Sequence, residues 1–180
     1  MLLLVLTITF FAIFLYPILL NYLSKNNEFV RIEHTPKISI IVPAYNEEKY
    51  ISRKIKNLKE LDYPKNRFEI IVVDNSSTDK TASIAKKFGV KVLSSERGKI
   101  NALNKGLKNA KYNIIAITDA DTILSKTTLR SSVQLLHSDI SAVSASTEVR
   151  QKSTFYSESK LDYHKNDWKM RYKEGLIDTV

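Results

Sequence analysis

The chain has 180 residues, 43% hydrophobic and 26% charged, with a net charge of +9 and no cysteine. That length holds one modest domain plus a short extra segment, and the composition excludes both a disordered chain and one embedded throughout in lipid. Without cysteine there is no disulfide and no thiolate-held zinc, and the lysines are spread along the chain rather than gathered in an arginine-rich run, which argues against nucleic acid as a partner.

The first 24 residues carry no charged side chain. From Leu2 to Leu20 only Thr7, Thr9, Tyr16 and Pro17 interrupt an apolar run. At about 1.5 Å per residue such a run can cross a hydrocarbon core of ~30 Å, so residues 1–24 are expected to be a transmembrane anchor. A cleaved signal needs a positive leader and a small-residue cleavage site. Here Met1 is followed directly by leucines, and no Ala-x-Ala pattern closes the run. Lys25, Arg31 and Lys37 follow the run and no basic residue precedes it. The expectation is a single-pass membrane protein, in contact with membrane lipid, whose globular part is cytoplasmic. Residues 25–36, ending at Pro36, read as a linker.

Beyond Pro36 two periods alternate. Lys37–Val42 is a β-branched apolar run stopped by Pro43. Asn46–Leu61 reads as a helix with Ile51, Ile55, Leu58 and Leu61 on one face, capped by Asn46, with Glu47 and Glu48 at its positive end. Phe68–Val73 is a second buried-type strand. Thr78–Phe88 is a helix stopped by Gly89, and Val90–Leu93 a third strand. Gly98–Ala110 is a helix, Tyr112–Thr118 a fourth strand, Thr127–His137 a helix and Ile140–Ser146 a strand. Strands that are apolar throughout, alternating with helices, imply an α/β fold with a mainly parallel sheet covered on both faces. Ligands of such sheets bind beyond the carboxyl ends of the strands.

Three acidic or polar clusters fall on that rim. Pro43-Ala44-Tyr45-Asn46-Glu47 follows the first strand, Asp74 and Asn75-Ser76-Ser77-Thr78-Asp79 the second, and Asp119-Ala120-Asp121 the fourth. Any one of them also reads as a helix cap or a turn. Together they gather like charges in a cleft, which is unfavourable unless a cation or a donor-rich ligand offsets it. Asp119 and Asp121 are hard oxygen ligands suited to Mg2+ or Mn2+ shared with a diphosphate. Arg97-Gly98-Lys99 is the basic counterpart, where Gly98 lets a backbone approach closely and the following helix start favours an anion. The glycine spacing of a Walker A loop is absent, and so is Gly-x-Gly-x-x-Gly.

These residues resemble family 2 glycosyltransferases with the GT-A fold. The matching stretches are IVPAYNEE (41–48), IIVVDNSSTD (70–79), RGKINALNKGL (97–107) and ITDADT (117–122). The third is similar to the polymer-forming branch, which includes chitin, hyaluronan, cellulose and poly-N-acetylglucosamine synthases. The resemblance implies a Rossmann-like nucleotide-sugar-binding domain over residues 37–150 and the start of an acceptor-side segment over 151–180. It implies that Pro43, Tyr45, Asn46 and Glu47 line the nucleoside pocket and that Asp74 meets the base, usually uracil. Lys99 would lie near the base or diphosphate. Asp119 would face the ribose and diphosphate, and Asp121, with Asp119, would hold the metal. The implied activity is inverting transfer from a UDP-linked sugar to a saccharide or lipid-linked acceptor.

The chain departs from the family pattern in two places. The family commonly has Asp-Asp-Gly-Ser after its second strand, whereas Asp74 is followed here by Asn75-Ser76-Ser77. The later Glu-Asp pair whose Asp acts as general base, and the Gln-x-x-Arg-Trp stretch, do not occur by Val180. The chain is therefore expected to be a fragment, a truncated frame or half of a split enzyme. The alternative is a membrane-tethered, non-catalytic nucleotide-sugar-binding module. In the tail, Phe155, Tyr156, Tyr163, Trp168 and Tyr172 stand among seven lysines and arginines between Arg150 and Lys173, as on a half-exposed helix. His34, His137 and His164 are scattered and read as neither ligands nor catalytic groups.

Overall fold

The computed structural model describes residues 9–23, 33–136 and 140–145. The chain divides into two units, one of residues 1–31 with 144–180 and the other of residues 32–143. The expected acceptor-side segment over 151–180, with its aromatic, half-exposed helix, lies outside the described residues.

In the first unit a five-residue π-helix, Phe11–Leu15, leads into helix α1, Tyr16–Leu23. Pro17 has no N–H to give to the preceding turn and its ring crowds the carbonyl there, a conflict that a widened turn absorbs. The helical residues described, 9–23, rise about 22 Å, less than a ~30 Å hydrocarbon core. Among the described residues no helix is long and apolar enough to cross a membrane. The expected transmembrane anchor is thereby overturned, and the single-pass membrane placement and cytoplasmic side inferred from it fall with it.

The second unit holds four parallel strands: β1 (Ile38–Ala44), β2 (Phe68–Asp74), β3 (Lys91–Ser94) and β4 (Ile114–Ile117). Their order is β3-β2-β1-β4. All of β1 is buried, because it is central and covered on both faces. One face carries Ile38, Ile40, Val42 and Ala44, packed with Ile51, Ile55 and Leu58 of helix α2 (Ile51–Lys59) and Ala85 of α3 (Thr81–Lys87). Leu129 and Val133 of α5 (Thr128–Val133) join that core. The other face presents Ile41, Ile71 and Val73 to Ala102 of α4 (Lys99–Lys108). A Cβ added to Gly106 of α4 would sit 2.6 Å from Ile41 Cγ2, so glycine lets this helix lie close to the sheet.

Several boundaries differ from the sequence expectation, each for a physical reason. Strand β1 runs through Pro43 to Ala44 instead of stopping at Val42. The Ile41 carbonyl accepts from Thr118 N–H at 3.1 Å, so alternate peptide groups of β1 face β4. Pro43 has the same parity, and β4 ends at Ile117 opposite Ile41, so the missing N–H forfeits no ladder bond. Helix α2 starts at Ile51, not at Asn46. Asn46 is held at φ 55 and bonds across the rim instead of capping. The last expected helix is shorter, Thr128–Val133, and His137 is not described. No regular strand covers residues 141–145, although Ile140 forms a single bridge.

Candidate active site

From β1 the chain steps outward to β2 and β3, then returns to the other flank of β1 as β4. The strand order therefore reverses between β1 and β4, the place where open α/β sheets form a ligand crevice at their carboxyl ends. The turn after β4 carries Asp119 and Asp121, both exposed on that rim. Asp74 ends β2, in register with Ala44 of β1 and Ser94 of β3. Two strand spacings separate the β2 and β4 ends, about 10 Å across the rim.

The loops after β1 and β2 are latched together. Asn46 Oδ1 accepts from Thr78 N–H at 2.8 Å, and Asn46 N–H donates to Ser77 Oγ at 3.0 Å. Glu47 N–H donates to Thr81 Oγ1 at 2.8 Å, and Glu48 N–H to Asp79 Oδ2 at 3.0 Å. Asp79 also accepts from the Thr81 N–H at 2.9 Å and from the Thr81 hydroxyl, so Asp79 ties the loop to the first residue of α3. Burial would raise the Asp79 carboxyl, but the hydrogen bonds from Thr81 and Glu48 outweigh it and hold the group below its ordinary range. Asn75 Oδ1 accepts from Gly98 N–H at 2.7 Å, while Asn75 N–H donates to the Ala44 carbonyl at 2.8 Å. These two bonds tie the entrance of α4 to the ends of β1 and β2.

The residues singled out from sequence come together in part. Lys99 Nζ lies 2.8 Å from Asp119 Oδ1, joining the start of α4 to the turn after β4. Arg97 stacks over the Tyr45 ring at 5.0 Å. Burial, and then the charges of Asp121, Asp79 and Asp119, push the Glu47 carboxyl up, so Glu47 lies in the field of both aspartates of the β4 turn. Pro43 is buried inside β1. Asp74 is only 7% exposed, and its Oδ1 has no hydrogen-bond partner among the described residues. Ser95 Oγ, just beyond β3, is likewise buried and unpaired. Among the described residues no group of three or more Asp, Glu or His side chains is gathered as a metal cage.

Sequence reasoning missed the support beneath the acidic turn. Lys54 of α2 is fully buried. Its ammonium donates to Thr118 Oγ1 at 2.6 Å, to the Thr122 carbonyl at 3.0 Å and to Thr122 Oγ1 at 3.2 Å. One turn on, the Asn57 side chain donates to the Leu124 carbonyl and accepts from Leu124 N–H, each at 2.9 Å. Desolvation lowers the Lys54 pKa to about 8, against the pull of Asp119 and Asp121. A signal was present in the sequence: positions 51, 54, 55 and 58 share one helical face, and three of them are Ile or Leu.

A parallel sheet with an acidic pair at its switch point, and a buried carboxylate two strands away, is an α/β fold of the GT-A kind. Residues 39–179 match the family described as Glycosyl transferase family 2. The chain belongs to that family. It is 37% identical over 114 residues to the poly(ribitol-phosphate) beta-N-acetylglucosaminyltransferase TarS of Staphylococcus aureus, a match covering 58% of this chain and 20% of that protein. The solved mannosyltransferase PcManGT of Pyrobaculum calidifontis, in complex with GDP-Man and Mn2+, superposes with a TM-score of 0.59 at 32% identity. That superposition covers 69% of this chain and 41% of the mannosyltransferase. The glucosyl-3-phosphoglycerate synthase of Mycobacterium tuberculosis, solved with Mn2+, UDP and phosphoglyceric acid, gives 0.50 at 26% identity, over 67% of this chain and 43% of that one. The matched region thus spans about a fifth of the length of TarS.

Proposed function

We propose that the folded part of this chain holds the donor of a glycosyl transfer, a nucleoside diphosphate sugar with uracil as its base, laid across the rim from β2 to β4. The observation that carries the reading is Asp74 Oδ1, a buried carboxylate oxygen left without a donor at the end of β2. Such an oxygen costs about 1–3 kcal/mol, which a base N–H would offset. Tyr45 and Arg97 would flank the nucleoside, with Pro43 and Asn46 shaping the rim beside it. The exposed Lys99–Asp119 pair contributes little in water, so Lys99 can turn to the diphosphate at small cost.

Asp119 and Asp121 would hold Mg2+ or Mn2+ together with the phosphates. Two exposed carboxylates suit a cation that arrives with its own waters and phosphate ligands. Bound there, the cation would act as a Lewis acid toward the departing diphosphate. Glu47, its carboxyl raised by burial and then by the neighbouring aspartates, would be eased by that added positive charge. The Mn2+ complexes of the two solved relatives support the reading. An acceptor hydroxyl of a saccharide or a lipid-linked sugar would attack from the face opposite the diphosphate, with inversion.

Calorimetry on the chain with UDP, with and without Mn2+, tests this. Metal-dependent binding is expected, weakened about tenfold or more, roughly 1.4 kcal/mol, by Asp121→Ala. Absence of metal-dependent binding, or an Asp121→Ala chain that binds like the parent, would sink the reading. GDP as competitor checks the base: it should displace UDP poorly.

A further inference from the structure

Lys54 sits in a position that helix chemistry does not explain. Its side chain points into the core beside Ile51, Ile55 and Leu58, where an apolar residue would pack without penalty. Among the described residues no carboxylate lies within ion-pair distance of it. Its three N–H donors meet three acceptors, Thr118 Oγ1, Thr122 O and Thr122 Oγ1. All three belong to the two residues that bracket Asp119-Ala120-Asp121. The turn is cross-braced as well: Thr118 and Thr122 hydroxyls lie 3.1 Å apart, and Thr122 Oγ1 donates to the Asp119 carbonyl at 2.9 Å.

We propose that Lys54 is a positioning residue, whose buried ammonium clamps the two ends of the Thr118–Thr122 turn and so presents Asp119 and Asp121 together toward the rim. The clamp bonds to Thr118 and Thr122 and to neither carboxylate, so it does not compete with a ligand for them; the exposed Lys99 is the partner that Asp119 would exchange. A buried lysine that bonded only for stability would be a poor choice, since an apolar side chain of equal size commonly does as well or better. What an apolar side chain cannot do is tie both ends of one turn with a single head group. Asn57 continues the same device one turn further along α2, at Leu124. The inference rests on the donor-site reading, and it assigns Lys54 to the diphosphate and metal side of that site, not to the base side at Asp74.

The test compares the parent chain with Lys54→Met, which keeps length and loses the donors. Three readouts are taken: UDP affinity without metal, UDP affinity with Mn2+, and backbone hydrogen exchange of residues 118–124 without any ligand. The expected result is a folded variant whose metal-free UDP affinity stays within twofold of the parent. Its Mn2+-dependent affinity falls about tenfold, and exchange quickens in the turn. Thr118→Val, which removes the nearest acceptor and leaves Lys54 in place, should give a smaller change of the same kind and serves if Lys54→Met does not fold. A folded variant with unchanged metal-dependent binding, or with both affinities reduced alike, overturns the positioning role. A parent chain that shows no metal-dependent binding overturns the donor-site reading and this inference with it.

Discussion

The two halves of the rim are held by opposite means. The loops after β1 and β2 are fastened from above by exposed side chains bonding to backbone: Asn46 to Thr78, Asp79 to Glu48 and Thr81, Glu48 to Lys80. The turn after β4 is fastened from below by Lys54 and Asn57, two side chains of one helix. The first half is a mesh in which each bond is small and the loss of one leaves others. The second, apart from bonds within the turn and the exposed Lys99–Asp119 pair, rests on two side chains, one of which carries a desolvated charge. The β1–β2 side of the rim is therefore built redundantly, and the acidic side rests mainly on the seating of α2.

The sharpest probe of that contrast is pH. Desolvation lowers Lys54 from the ordinary 10.5 to about 8 in the folded chain. Below about 8 both folded and unfolded chains hold the proton, and the full cost of the buried charge falls on the fold. Between about 8 and 10.5 the unfolded chain binds a proton that the folded chain has released, so the Lys54 contribution to stability rises with pH. Its upper limit is about 3 kcal/mol, reduced by local relaxation. Denaturant titrations of the parent and Lys54→Met at pH 7.5 and pH 10 measure it. The difference should shift in favour of the parent as pH rises. A difference that stays constant would place the charge elsewhere than on Lys54. No comparable term is expected from the other half, whose Asp79 sits below its ordinary range and titrates only in acid.

The second probe sets the two asparagines against each other. Asn57→Ala leaves both the N–H and the carbonyl of half-buried Leu124 unpaired, and should destabilise by about 2 kcal/mol. Asn46→Gly, which keeps the φ 55 backbone free of strain, loses only the exposed bonds that the side chain accepts from Thr78, and water can replace them, so about 1 kcal/mol is expected. Thermal melts rank the pair. Equal losses would erase the distinction between a mesh and a two-point clamp.

The same contrast explains what could be read from sequence. The strands were legible because KISIIV and FEIIVV fill positions buried on both faces, and their composition reports that directly. The acidic rim was legible because its residues follow those strands within a few positions. The helix starts were not: Asn46 looks like a local cap, yet it bonds to a loop about thirty residues away. Lys54 was passed over because a lysine in an amphipathic helix reads as solvent-facing by type, although its position within the Ile51, Ile55 and Leu58 pattern reads as buried. Residue type and periodicity disagreed there, and periodicity won. The anchor failed for the reverse reason. Its composition suits lipid, but among the described residues no helix is long and apolar enough to cross a membrane.

The smallest predicted effect concerns the departure from Asp-Asp-Gly-Ser. Ser76 occupies the glycine position and still adopts φ 58, a left-handed conformation that costs a side-chain-bearing residue about 1 kcal/mol. The strain is offset in part by Ser76 Oγ, which donates to the Ser95 carbonyl at 2.9 Å. Ser76→Gly relieves the strain and gives up one exposed bond, while adding freedom to the unfolded chain. The net expectation is a gain of roughly 0.5 kcal/mol, read as a slight rise in melting temperature with UDP binding unchanged. A clear loss of stability would mean that the Ser76–Ser95 bond is a main tie between the ends of β2 and β3. The β1–β2 side of the rim would then depend on a single contact, much as the acidic side depends on Lys54.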